Sequence, residues 1–146
     1  MNNYIIDYER CIRTGTMAAS IEVKTLYKKL VQGISDGSLI YNHKKAMKPI
    51  NFIENFCHHS AGRSDLLKLE LWQKAALSAI FGIVDENGNR VYREVFLVVG
   101  RKNGKSLLAS AIIAYMAYID GEYGAEIYCL APKLDQAAIV YDNFYQ

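Results

Sequence analysis

The chain has 146 residues, of which 51% are hydrophobic and 22% charged, with a net charge of +2. Its length allows one modest domain or part of a larger one, and its composition is that of an ordinary soluble globular protein rather than a disordered chain. A net charge this small argues neither for nor against a nucleic-acid partner, so any basic surface has to be local. Cys11, Cys57 and Cys129 are odd in number and widely spaced, which points to a reduced, cytoplasmic setting. No basic-then-apolar leader opens the chain, and the apolar run at 107–119 is too short to span a bilayer, so no membrane role is expected.

The first fifteen residues read as polar and irregular. Over 20–34, Val23, Leu26, Tyr27, Leu30, Val31 and Ile34 recur at three and four residues, the face of an amphipathic helix. Ser20 is its expected N-cap and Asp36-Gly37 its stop. A second helix is expected from about Pro49 through Cys57, with the proline in its first turn. The pattern breaks at 61–64, and a third helix is expected over 69–81 with Gly82 near its end. Asn87-Gly88 between the apolar pairs Ile83-Val84 and Val91-Tyr92 predicts a hairpin. Residues 94–99 are almost wholly apolar, as a parallel strand covered on both faces would be. A helix over 105–119, a second strand over 126–130 and a helix from Leu134 to Tyr145 follow. The order β, α, β, α predicts an α/β fold built on a parallel sheet.

Between the apolar strand and the apolar helix lies Val99-Gly100-Arg101-Lys102-Asn103-Gly104-Lys105-Ser106. A strand, a glycine-bearing turn and a helix opening on Gly-Lys-Ser form a cradle for nucleotide phosphates. Backbone N–H groups and the helix N-terminus face the anion, Lys105 neutralises it, and the Ser106 hydroxyl can ligate magnesium. The bland alternative is a βα turn in which Gly104 permits a left-handed backbone and Lys105 is a solvated first-turn residue. A lysine at a helix N-terminus is disfavoured by the dipole, and Arg101 and Lys102 add two more cations, which favours the cradle. The first glycine of the usual pattern is replaced by Val99, with Gly100 one residue late. Upstream, Gln73 carries an amide able to read the N6/N7 edge of adenine, although Trp72-Gln73 also fits a core anchor followed by an exposed helix residue.

The strings Leu69-Glu70-x-Trp72-Gln73, Phe81-Gly82, Asn87-Gly88-x-Arg90, Val91-Tyr92-Arg93 and Val99–Ser106 together resemble the large terminase subunit of tailed bacteriophages. The likeness reaches upstream to Phe52-Ile53-Glu54 and covers roughly 50–146. Its most specific element is Arg-Lys-Asn-Gly-Lys-Ser, since these motors carry a phosphate loop with a displaced first glycine and an internal arginine. Leu71 departs from the pattern, standing where a proline often precedes the tryptophan.

The resemblance implies an ATPase that drives double-stranded DNA into the capsid, with a nuclease domain beyond it. It implies ATP and Mg2+ as cofactors, with Lys105 on the β/γ-phosphates and Ser106 helping to hold the metal. Arg101 would be a charge stabiliser and catalytic partner of Lys105, and Gln73 would recognise adenine. Gly100, Lys102, Asn103 and Gly104 complete the cradle. The implied partners are double-stranded DNA, the portal protein and the small terminase subunit, with a homo-oligomeric ring in the cytoplasm of the bacterial host.

The expected organisation is a helical extension over 1–68, followed over 69–146 by the first, incomplete part of a phosphate-loop NTPase sheet. No Walker B acidic pair or nuclease carboxylates are found, so these residues alone are expected to hydrolyse little. The alternatives are a truncated prophage remnant or interaction module without catalysis, and another phosphate-loop ATPase such as a helicase-like enzyme. Cys57-His58-His59 reads as a polar helix end, because adjacent helical residues point apart. Tyr115, Tyr118 and Tyr128 read as core, and Lys44-Lys45-Lys48 as a solvated face.

Overall fold

A computed structural model describes residues 2–59, 65–121, 124 and 126–145. The break expected at 61–64, and Glu122 and Tyr123, lie outside the described residues. The elements in order are α1 (Tyr4–Arg13), α2 (Ile21–Asp36), β1 (Ile40–Tyr41), α3 (His43–Phe56), α4 (Leu71–Gly82), β2 (Ile83–Val84), α5 (Lys105–Tyr118) and α6 (Leu134–Tyr145). They divide into two compact units, Met1–Ile50 with Leu69–Phe96, and Asn51–Lys68 with Leu97–Gln146. No helix among the described residues is long and apolar enough to cross a membrane.

The first unit packs α1 against α2 and α4. The expectation of irregular chain at the N-terminus is corrected here, because residues 4–13 form a helix. Asn3 Oδ1 caps it by accepting from the Ile5 N–H at 3.0 Å, and Ile5, Tyr8 and Ile12 fall on one buried face. The charges that obscured this period pair along the solvent side, Arg10 with Asp7 and Arg13 with Glu9. The core of this unit joins Ile5, Tyr8 and Ile12 to Tyr27, Leu30, Ala75 and Ile83. Tyr8 and Tyr27 meet edge to face, with ring centroids 4.7 Å apart.

Helix α2 follows its expected limits, with Ser20 as N-cap and Gly37 closing it at φ 80°. Helix α3 begins six residues before the expected start, and Pro49 lies inside it rather than in its first turn. Asn42 Oδ1 caps the new start by accepting from the Lys45 N–H at 3.0 Å. Ala46, Pro49, Ile50 and Ile53 are buried on one side while Lys44, Lys45 and Lys48 stay exposed, so the lysines are a solvated face as expected. The proline forgoes one helix hydrogen bond but fills a fully buried position.

Helix α4 starts at Leu71, two residues later than expected, and ends on Gly82. A Cβ at Gly82 would stand 2.7 Å from Ala46 Cβ and 3.0 Å from the Tyr41 ring, so only glycine permits this approach. Strand β2 pairs antiparallel with β1, Ile40 opposite Val84 and Tyr41 opposite Ile83. The predicted hairpin forms in shortened version, with Val84 bridged to Arg90 and Gly88 at φ 82° in the turn.

That turn is organised by Asp85, whose carboxylate accepts from the Asn89 N–H at 2.7 Å and the Asn87 N–H at 2.9 Å. The Asn89 backbone bond, foremost among several, holds this carboxyl below its usual range. A carboxyl lowered in the folded state stabilises above its unfolded value, and that contribution is lost as pH falls through the lowered one. Urea midpoints of wild type and Asp85→Ala are therefore expected to differ near neutrality and to converge in acid. A gap unchanged down to pH about 2, well below the ordinary Asp range, would count against this role.

The second unit carries its core on Ile53, Leu67, Leu108, Ala111 and Tyr115. Phe52 meets Tyr115 at a tilt of 54°, with ring centroids 6.0 Å apart. Cys57 closes α3, its N–H donating to Ile53 O at 3.1 Å, so the expected helix end is present; residues 57–59 then form one arm of a short antiparallel contact. There the Leu67 N–H donates to Cys57 O at 2.8 Å, and His58 is bridged to Leu66. Helix α5 packs against α6. The buried Ser110 hydroxyl lies 2.9 Å from Ser106 O and 2.8 Å from Val140 O, which ties the two helices.

Mixed α/β architecture is observed, but the two predicted strands at 94–99 and 126–130 carry no ladder among the described residues. Far from being covered, Phe96, Val98 and Leu130 are 92%, 97% and 91% exposed. Tyr115 is core as expected, whereas Tyr118 and Tyr128 are exposed. Helix α5 is buried or half-buried at every position from Ser106 to Met116, with Leu108, Ser110, Ala111 and Tyr115 buried. Apolar strands of this type are covered only when sheet neighbours and helices supply both faces.

Candidate nucleotide-binding loop

Residues 99–106 bring together every member of the expected cradle except Gln73. The turn reverses through two left-handed residues, Lys102 at φ 66° and Gly104 at φ 69°. Glycine takes this conformation freely, whereas lysine adopts it only under local constraint. Asn103 lies between them, and its side chain folds back onto the turn. Its Nδ2 donates to Gly100 O at 3.3 Å and to Arg101 O at 3.4 Å.

Helix α5 then starts at Lys105 with Gly104 as its N-cap, no side-chain cap and no acidic residue in its first turn. Its first helical bond runs from the Leu108 N–H to Gly104 O at 2.9 Å. The N–H groups of residues 105–107 therefore have no acceptor within the helix. Helices α1 and α2 meet the same need with Asn3 and Ser20; α5 leaves it open, facing the positive end of its dipole outward.

Gly100 through Lys105 are exposed, and Ser106 is half-buried. Arg101, Lys102 and Lys105 add three positive side chains within five residues, and none has a carboxylate partner among the described residues. Open N–H groups, a helix dipole and unneutralised cations on one short turn make a site for a polyanion. The Ser106 hydroxyl is the hard oxygen donor there, and a hard oxygen fits Mg2+ as one ligand among phosphate and water oxygens.

Gln73 belongs to the first unit and is buried rather than exposed. Its Oε1 accepts from the Glu70 N–H at 2.8 Å, closing the first turn of α4. The amide N–H groups and the second lone pair of that oxygen are left for other partners. Ser110 was not singled out by sequence reasoning. Its signal was a lone hydroxyl four residues after Ser106 within an apolar helix.

A turn with open N–H groups and clustered cations at the head of a helix is the kind of feature that nucleotide-binding proteins offer to phosphate. The model of one family, described as "Terminase large subunit, ATPase domain", matches residues 71–146. The chain belongs to the terminase large subunit family. It is 31% identical over 112 residues to the terminase large subunit of Lactococcus phage p2. The same identity and length hold for that of Lactococcus phage SK1. Each alignment covers 71% of this chain and 20% of the relative, so the chain spans about a fifth of the length of these curated relatives. No solved structure matches it.

Proposed function

We propose that this chain is an ATP-binding segment of a DNA-packaging motor, with the turn at 99–106 as its phosphate loop. The observation that carries the reading is the N-terminus of α5 without a side-chain cap, beside three cations that have no carboxylate partner among the described residues, in a chain of the terminase large subunit family. Lys105 contacts the β/γ-phosphates, Arg101 stabilises charge developing on them, and Ser106 is a magnesium ligand. Gly100, Lys102 and Gly104 shape the loop around the anion. Gln73 reads adenine through its remaining amide donors, a role that rests on the family resemblance.

In this reading residues 1–68 are a helical extension and 69–146 the beginning of the ATPase portion. The apolar runs 94–99 and 126–130, which form no ladder among the described residues, would become strands of its parallel sheet once sheet neighbours cover them. The whole motor couples ATP hydrolysis to movement of double-stranded DNA. It works as a ring in the host cytoplasm, with a portal protein and a small subunit as partners. The family match favours this over a helicase-like ATPase that shares the loop.

Calorimetric titration tests the phosphate reading. Mg-ATP is expected to bind saturably and adenosine far more weakly, because the loop offers nothing to a base or a ribose. Equal affinity for the two would remove the loop from the binding site.

A further inference from the structure

Asn103 has a role in this loop that its exposure disguises. An asparagine amide nitrogen carries two N–H donors, and Nδ2 of Asn103 has two carbonyl acceptors in range, Gly100 O at 3.3 Å and Arg101 O at 3.4 Å. With both donors engaged, the side chain retains only Oδ1. An acceptor oxygen has no attraction for a phosphate oxygen.

The two carbonyls it holds matter more. A trans peptide sets its C=O and the following N–H on opposite sides, and the chain contains no cis bond among its described residues. Drawing Gly100 O and Arg101 O toward one amide therefore turns the N–H groups of Arg101 and Lys102 away from it together. Lys102 is in the left-handed region, φ 66°, the conformation that a non-glycine residue leaves unless held.

Gly100 fits the same device. A Cβ there would stand 3.2 Å from Asn103 Nδ2, a tight contact against the donor. The displaced glycine of this loop lies where the amide needs room.

We propose that Asn103 is a positioning residue that clamps the Gly100 and Arg101 carbonyls so that the N–H groups of Arg101 and Lys102 point together toward the phosphates. The proposal rests on the phosphate-loop reading above. Asn103 sets the loop and leaves the contact with the anion to the backbone and Lys105.

The test is Mg-ATP affinity across Lys105→Ala, Asn103→Ala, and Lys102→Gly and Lys102→Ala, the last two each made with and without Asn103→Ala. Asn103→Ala is expected to weaken binding about tenfold, the scale of two lost hydrogen bonds. Both Lys102 variants remove the same cation, but only glycine favours the left-handed backbone. Glycine's advantage over alanine at 102 is therefore expected to widen once Asn103 is gone. Thermal midpoints check folding, since every altered residue is exposed.

If Lys105→Ala binds as wild type, the phosphate-loop reading fails and takes this proposal with it. If Lys105→Ala weakens binding and Asn103→Ala does not, the proposal alone is overturned. If Asn103→Ala weakens binding with no change in the glycine advantage, Asn103 acts by direct contact, which also overturns it.

Discussion

Lys105→Ala is expected to lower Mg-ATP affinity by at least about tenfold while leaving the free chain as stable as wild type or slightly more so. The two effects have one origin. Lys105 is the first residue of α5, where the helix dipole is positive and no acidic residue offsets it. Arg101 and Lys102 stand in the same exposed turn. Without an anion this arrangement is repulsive, and removing one cation relieves roughly 0.3–1 kcal/mol.

With phosphate bound, the sign reverses. A charge-assisted hydrogen bond to a phosphate oxygen contributes roughly 1.5–3 kcal/mol, or about ten- to a hundredfold in affinity. Lys105→Arg keeps the charge but carries a planar fork in place of a compact ammonium, so it is expected to recover only part of the loss. Calorimetry beside urea denaturation reads both quantities on the same samples. Loss of stability in Lys105→Ala would mark the lysine as a structural residue of the turn.

Ile5→Ala is expected to cost about 3 kcal/mol of folding stability, within the usual range for truncating a buried isoleucine. Ile5 is 0% exposed and lies at the centre of the first unit's core with Tyr8, Ile12, Tyr27, Leu30, Ala75 and Ile83. Ala75 is on α4, inside the matched ATPase region, so α1 is packed onto that region and is no loose N-terminal tail. Ile6 is a neighbouring isoleucine that is 38% exposed, so Ile6→Ala is the matched control and is expected to cost well under half as much. Urea unfolding followed by tyrosine and tryptophan fluorescence measures both. Equal, small costs would mean that α1 contributes little to the unit's core.

The parts legible in the sequence were those whose physics is local. Helix α2 was readable because its cap Ser20, its apolar face and its left-handed stop Gly37 all lie within the segment. The start of α5 was readable because Gly104-Lys105-Ser106 joins a left-handed backbone requirement to a charge in an unfavourable place. Helix α1 was hidden because only three buried residues mark its period and ion-paired charges take four of the other seven positions. The start of α3 was hidden because its exposed lysines and internal Pro49 imitate a loop followed by a helix start.

The runs at 94–99 and 126–130 illustrate a different limit. Their apolar composition states what they would bury, but a strand is made by its neighbours, and composition does not supply those. Neither the brace formed by Asn103 nor the bond from Ser110 to Val140 O could be read from spacing. Each depends on carbonyl positions that only the folded backbone defines.

The central claim is that backbone N–H groups of one turn bind the phosphates of ATP, and it is tested most directly by following those groups themselves. Amide resonances of an isotope-labelled chain, recorded during titration with Mg-ATP and again with magnesium pyrophosphate, are expected to shift first and furthest for residues 101–107. The two ligands should move these resonances in the same direction, since both present phosphate oxygens to the same donors. Saturable ATP shifts that leave 101–107 unmoved would contradict the claim.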